Sequence, residues 1–157
     1  MAVVFGFGKK KITVAAPVTG SLIDITDVKD EVFSSKMMGD GFAVEPDGDT
    51  VVAPCDGKIV LLANTLHAVA LEQDGVQLLI HIGLDTVELG GKGFTPFIKN
   101  GDSVKKGDAL IQFDREYLTA QQKPLTTMVV ITNMDERVKS IEKDLQDKDK
   151  VMTIQVK

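Results

Sequence analysis

At 157 residues, 43% of them hydrophobic, the chain has the length and apolar content for one domain with a full core. A net charge of −5, no tryptophan and a single tyrosine argue against the basic, aromatic-studded surface that nucleic acid demands. One cysteine, Cys55, excludes an internal disulfide or a cysteine metal cluster, and no apolar run nears the roughly 20 residues of a spanning helix, so a reducing, cytoplasmic setting is expected.

The chain starts with an apolar stretch, Ala2 to Gly8, followed by Lys9, Lys10 and Lys11. A secretory signal has the opposite charge order, so residues 1–11 read as a flexible tail and residues 12–157 as a single domain. The short N-terminus, with no linker composition, fits a free-standing protein better than a domain cut from a multidomain permease. Apolar runs then recur at 12–15, 21–25, 41–44, 50–53, 58–62, 66–71, 76–84, 109–113, 127–132 and 151–156, each closed by Gly, Asp or Asn. Short strands at this spacing predict an all-β protein, an antiparallel β-sandwich, rather than βαβ units. Short helices are expected at 30–37 and 115–121. A third, on the surface, is expected at 135–145, where Val138, Ile141 and Leu145 recur three and four apart.

The sequence also echoes itself. Thr13-Val14-Ala15-Ala16-Pro17-Val18-Thr19-Gly20-Ser21-Leu22 aligns with Thr50-Val51-Val52-Ala53-Pro54-Cys55-Asp56-Gly57-Lys58-Ile59 at an offset of 37 residues. Each copy predicts strand, proline-initiated turn and strand. The segment 101–110 is another turn–strand–turn unit. Duplication of this kind speaks for a sandwich and is silent about chemistry.

Only two histidines are present, and both fall on apolar runs. Side chains alternate along a strand, so Val76, Leu78, Ile80, Ile82 and Leu84 form a core face. His81 shares the other face with Gln77, Leu79, Gly83 and Asp85. If Gln73-Asp74-Gly75 is a bulged three-residue loop, His67 falls directly opposite His81; a two-residue Asp74-Gly75 turn puts the histidines on opposite faces. The first is favoured because it gathers Thr65, His67, His81 and Asp85 on one surface, rimmed by Val69 and Leu79. Two facing imidazoles can share one tetrahedral guest: a metal ion, a phosphate, or a phosphoryl group bonded to one ring and hydrogen-bonded by the other. No nucleophile elbow supports a hydrolase triad, and no Gly-rich phosphate loop precedes a helix.

At these residues the chain resembles the glucose-class enzyme IIA component of the bacterial phosphoenolpyruvate-dependent sugar phosphotransferase system. The resemblance runs from about Ile12 to the C-terminus. It is carried by Ala16-Pro17-Val18-Thr19-Gly20, Asp30-Glu31-Val32-Phe33, Met38-Gly39-Asp40-Gly41-Phe42-Ala43-Val44-Glu45-Pro46 and Val52-Ala53-Pro54-Cys55-Asp56-Gly57. Thr65-Leu66-His67-Ala68 and Leu79-Ile80-His81-Ile82-Gly83-Leu84-Asp85-Thr86-Val87 complete it.

The resemblance implies an antiparallel β-sandwich in which His81 carries phosphate on Nε2 and His67 hydrogen-bonds the phosphoryl oxygens. Thr65 would hold the His67 ring, and the Gly83 carbonyl would fix which nitrogen of His81 is free. Asp40 and Asp85 match acidic positions flanking the site, and Met38, Phe42, Val44, Val69 and Leu79 are candidates for an apolar docking rim. Core packing is an equal rival for Phe42 and Val44. The implied partners are the histidine-containing phosphocarrier protein as donor and a cysteine of the sugar-specific IIB domain as acceptor; regulatory protein targets are a further possibility. Cys55, in a Pro-Cys-Asp-Gly turn, reads as structural. No cofactor is required, although a zinc ion bridging His67, His81 and a partner carboxylate is conceivable.

Two rival readings use other residues. Ala-Pro-x-x-Gly turns also resemble biotinyl or lipoyl carriers, with Lys36 mimicking the attachment lysine, but this leaves the histidines unused. His-x-Gly-x-Asp has a zinc-peptidase look, yet no His-x-His pair supplies the remaining ligands.

Overall fold

A computed structural model describes residues 10–157. The apolar start expected to form a tail lies outside the described residues. Thirteen strands are the main regular elements of the described chain: β1 (Lys11–Val14), β2 (Gly20–Asp24), β3 (Gly41–Pro46), β4 (Thr50–Val52), β5 (Gly57–Leu62), β6 (Ala68–Gln73), β7 (Val76–Ile82), β8 (Phe94–Pro96), β9 (Ser103–Val104), β10 (Ala109–Phe113), β11 (Thr127–Ile131), β12 (Val138–Lys143) and β13 (Met152–Val156). Three short α-helices, α1 (Glu31–Ser34), α2 (Arg115–Ala120) and α3 (Met134–Arg137), and 3-10 turns at Ile25–Asp27 and Thr86–Leu89 join them. The fold is an antiparallel β-sandwich. A seven-stranded sheet, β2-β3-β11-β7-β6-β5-β9, is accompanied by two three-stranded sheets, β1-β13-β12 and β4-β10-β8.

The internal echo has a structural counterpart. Ala15 N donates to Pro54 O and, reciprocally, Val52 N donates to Pro17 O, so the two proline turns bond to each other as twins. Ala16 N to Lys148 O and Ala53 N to Asp108 O make a second such pair. The strand orders match as well. In sheet order β2-β3-β11 mirrors β5-β6-β7, and β1-β13-β12 mirrors β4-β10-β8, so β7 and β11 pair across a pseudo-twofold axis. One half is the continuous block 50–113, and the other combines β1–β3 with β11–β13, so one half is nested within the other.

Two apolar clusters follow from strand alternation. The main core includes Phe42, Val44, Val69, Leu71, Ile80, Ile82, Phe113, Val129 and Ile154. On the opposite face of the seven-stranded sheet, Ala43, Met128 and Val130 alternate with those core residues. They pack with Ile25, Val28, Phe33 and Leu84 in a second cluster, against which Ile23, Met38 and Leu79 also lie. The excursion between β2 and β3 thus covers part of the sheet's outer face.

Two expectations fail. Residues 135–145 do not form a surface helix: α3 ends at Arg137 and Val138–Lys143 is a strand paired with β13 across a bulge between Val138 and Ser140. An exposed edge strand with charges on its open face can show the same three-and-four spacing, and pairing with β13 decides the outcome. The β6–β7 connection is a two-residue turn, with Gln73 opposite Val76. Asp74 (φ 49°) and Gly75 (φ 83°) both take left-handed angles, the Asp-Gly pattern of a mirror-image hairpin turn that needs no bulge.

Candidate functional site

β7 presents His81 on the outer face of the seven-stranded sheet, opposite Met128 of β11. Immediately after the strand, Gly83 takes φ 78°, and a Cβ there would sit 2.5 Å from Thr86 Cγ2 and 2.9 Å from Pro124 O. Only glycine fits this turn. The turn directs the Gly83 carbonyl back to the imidazole, placing His81 Nδ1 2.9 Å from Gly83 O. A carbonyl only accepts, so Nδ1 carries the proton and the neutral ring keeps its lone pair on Nε2. Thr86 Oγ1 donates to Ile82 O, pinning the same turn.

His67 reaches this ring by an irregular route. With Ala68 opposite His81 in the observed register, strand parity would send the histidines to opposite faces, and a three-residue loop is not what brings them together. His67 lies just outside β6, after Leu66 at φ 61°, where alternation no longer governs side-chain direction. Its backbone remains anchored, since Ile82 N donates to His67 O at 2.8 Å. The two rings meet with centroids 4.8 Å apart and planes at 83°. Thr65 Oγ1 lies 2.7 Å from His67 Nδ1. When that hydroxyl donates, Nε2 of His67 carries its proton and becomes a donor.

The electrostatics favour neutral rings. Burial, then the charge of His67, pushes the His81 pKa down to about 4, against raising contributions from the Gly83 carbonyl, Asp30 and Asp85. Burial also lowers His67, opposed by a backbone hydrogen bond at Thr65. At neutral pH His81 is therefore unprotonated at its free nitrogen, as a nucleophile requires.

Asp85, at φ 60°, opens the 3-10 turn without a side-chain cap bond, so its carboxylate stays exposed beside the histidines. Asp40 does not flank them. Its backbone carbonyl bonds Ile131, whose partner on β7 is Leu78, four residues (~13 Å) along the sheet from Ile82, which bonds His67. Its carboxylate is engaged by Lys143 at 2.7 Å and Lys36 at 3.5 Å. Phe42, Val44 and Val69 are fully buried in the main core and cannot form a docking rim. Leu79 and Met38 are partly buried against the second cluster, on the His81 side of the sheet.

Asp30 and Phe33, to which the sequence alone assigns no role, also belong to the site. Asp30 caps α1 by accepting from Val32 N at 3.0 Å and is close enough to bias His81. The Phe33 ring stands 5.0 Å from the imidazole in an edge contact. Val32 (42% exposed) and Met37 (75% exposed) are the open apolar side chains of this segment. The signal was available as an Asp N-cap ahead of an aromatic residue, but nothing local in sequence says which strand it will cover.

Among the described residues no group of three or more His, Cys, Asp or Glu could hold a metal ion. A zinc ion at His67 and His81 would need its other ligands from a partner. Also among the described residues, no helix is long and apolar enough to cross a membrane. Lys36 sits in a turn at φ 64°, ion-paired with Asp40, and is not the tip of a carrier hairpin.

The sandwich thus carries an oriented histidine pair on the outer face of its large sheet, with His67 buried and His81 half-buried. The family model for the phosphoenolpyruvate-dependent sugar phosphotransferase system, EIIA 1, matches residues 12–137. The glucose-specific EIIA component of Staphylococcus epidermidis is 46% identical over 136 residues, covering 83% of this chain and 82% of its own. That of Halalkalibacterium halodurans is 50% identical over 122 residues, covering 77% and 70%. A glucose-specific EIICBA component of Staphylococcus saprophyticus is 44% identical over 138 residues, 87% of this chain but 20% of that longer one. The glucose permease IIA of Mycoplasma capricolum superposes with a TM-score of 0.82 at 34% identity, over 94% of this chain and 97% of its own. The chain belongs to the EIIA 1 family of the sugar phosphotransferase system, and with it to the phosphotransferase relay components.

Proposed function

We propose that this protein is a cytoplasmic phosphocarrier that accepts a phosphoryl group on His81 Nε2 from the histidine-containing phosphocarrier protein and passes it to a cysteine of a IIB domain. The observation that carries the reading is the Gly83 carbonyl 2.9 Å from His81 Nδ1, which holds the proton there and leaves Nε2 as the nucleophile. In acceptance, the bond from phosphorus to the donor nitrogen breaks as the bond to His81 Nε2 forms. In delivery, that second bond breaks as a cysteine thiolate bonds to phosphorus. Little covalent machinery is needed, because phosphoryl transfer through a loose transition state rests on in-line placement and on stabilising three equatorial oxygens.

His67 supplies that stabilisation, with Thr65 holding its ring. The exposed carboxylate of Asp85 and the half-buried one of Asp30 repel a resting phosphoryl group and attract basic groups on a donor surface. Residues 12–157 act as one phosphocarrier domain. Val32, Met37, Met38 and Leu79 form the apolar part of the docking face. A zinc ion between His67 and His81, completed by a partner carboxylate, is a regulatory contact that calorimetry on the free and complexed protein tests directly. The phosphoryl reading itself is tested by intact mass after incubation with phosphoenolpyruvate, enzyme I and the phosphocarrier protein. One acid-labile phosphate, lost in His81→Ala, is expected; a stable adduct on Lys36 would overturn it.

A further inference from the structure

β2 and β3 pair directly, with Asp24 opposite Phe42, yet between them the chain leaves the sheet and returns only at Gly41. Asp24 is the last residue of β2 and Asp40 immediately precedes β3. Their carboxylates therefore mark the exit and the return of the excursion. Lys143, at the end of β12 in a different sheet, reaches both: its Nζ is 2.7 Å from Asp40 Oδ1 and 3.8 Å from Asp24 Oδ2. The side chains of Lys143 and Asp40 are only 18% and 19% exposed. A pair this sheltered is screened far less than a surface ion pair, and an unpaired member would be costly.

What the clamp holds is the cover over His81. Ile25, Val28 and Phe33 of the excursion pack on Ala43, Leu84, Met128 and Val130, in a cluster separate from the main core. Phe33 touches the His81 ring, and Asp30 lies near enough to bias it. We propose that Lys143 is a positioning residue of the phosphoryl relay: one ammonium that ties both ends of the 25–39 excursion to the β1-β13-β12 sheet and so keeps Phe33 and Asp30 set against His81. This rests on the reading of His81 as the phosphoryl acceptor. Lys143 touches neither histidine, so it acts through the segment it anchors.

Both Asp24 and Asp40 are held below the usual carboxylate range. For Asp40, burial works upward and is outweighed by Lys143 together with the Gly41 amide; for Asp24 the Thr26 amide leads and Lys143 adds to it. Both carboxylates thus remain ionised through neutral pH.

The test uses Lys143→Met, which keeps the aliphatic stem, and Lys143→Arg, which keeps the charge. The imidazole protons of His81 are titrated by NMR, and kcat and KM are measured for acceptance from the phosphocarrier protein. The groups facing His81 are His67, Asp30, Asp85, Phe33 and the Gly83 carbonyl, and all remain in both variants. Lys143→Met is expected to raise the His81 pKa from about 4 toward 6.5 as the cover loosens and water returns. Acceptance kcat/KM should fall roughly ten- to a hundredfold, the scale of a misplacement near 1 Å. Lys143→Arg should restore both. If Lys143→Met does not fold, Asp24→Asn releases one end alone while keeping an acceptor for Thr26, and a smaller shift in the same direction is expected. A lowered melting temperature with wild-type His81 titration and wild-type kcat/KM would overturn the proposal. Failure of the wild type to accept phosphate would instead sink the acceptor reading, and the His81 titration would still decide the role of Lys143.

Discussion

The ring of Phe33 stands edge-on to the imidazole of His81, with centroids 5.0 Å apart and planes inclined at 61°. One side chain thereby belongs both to the second apolar cluster and to the wall of the site. Phe33→Ala should cost about 3 kcal/mol in denaturant unfolding, the usual scale for emptying a buried phenyl volume. It should also raise the His81 pKa from about 4 toward 6.5, because burial is the leading cause of the depression. NMR titration of the variant checks this, and an unmoved pKa would show that Phe33 shields nothing.

The two histidines are expected to fail differently. His81→Ala removes the nucleophile and should abolish phosphate acceptance in an intact-mass assay. His67→Gln leaves Nε2 of His81 and its Gly83 contact in place, so acceptance should persist while delivery to a IIB cysteine slows by about 10²-fold, as for loss of an oxyanion donor. Equal loss of acceptance in both variants would contradict separate roles.

Stability should fall with acidity before Asp24 and Asp40 titrate. His81 has a folded pKa of about 4 against an unfolded value near 6.5, so below 6.5 the unfolded chain takes up a proton that the folded one refuses. The loss accumulates between pH 6.5 and about 4 and then levels, with His67 acting in the same direction. Its size is of the order of 2 kcal/mol after allowance for the partial exposure of His81. Asp24 and Asp40, lowered from 3.8, contribute stability that disappears only at lower pH. Urea midpoints from pH 8 to 4.5 measure the slope, and His81→Gln should remove most of it.

Gly83→Ala is expected to damage structure and chemistry together. Its φ of 78° disfavours a side chain, and the new methyl would strike Thr86 and Pro124. A loss of about 2 kcal/mol or more should accompany a displaced carbonyl and a change in the His81 tautomer, read from nitrogen chemical shifts. A variant with wild-type shifts would free the Gly83 carbonyl of its assigned part.

Cys55 should be a bystander. It is buried, and its thiol is pushed up to about 12, chiefly by burial and further by Asp56. Native protein should resist iodoacetamide, and Cys55→Ala should accept phosphate at the wild-type rate.

Much of this was legible in the chain. Alternation along residues 76–82 assigned the core and outer faces, which match the observed burial. The 37-residue echo foreshadowed the twinned turns. The hairpin register differs from the expected one, since a bulged loop aligns the histidines by strand parity but the chain turns in two residues. The Asp-Gly pair alone dictated the shorter turn. His67 nevertheless meets His81, since the left-handed Leu66 turns the chain at a point where no strand rule applies. Asp30 and Phe33 were hidden for another reason. They come from a segment that reaches the site by packing over β3 and β11, and long-range packing of that sort leaves no periodic trace.

The pseudo-twofold axis has a twin for each half of the site. Ile82 N bonds His67 O just as Ile131 N bonds Asp40 O, so Asp40 occupies in one half the place of His67 in the other. By the same correspondence Val130 stands where His81 stands. One backbone cradle therefore occurs twice, furnished once with imidazoles and once with a lysine–aspartate tie. The duplicated frame has diverged in what it carries: one copy holds the imidazole pair, and its counterpart holds an ion pair where the chain returns to the sheet after passing over His81.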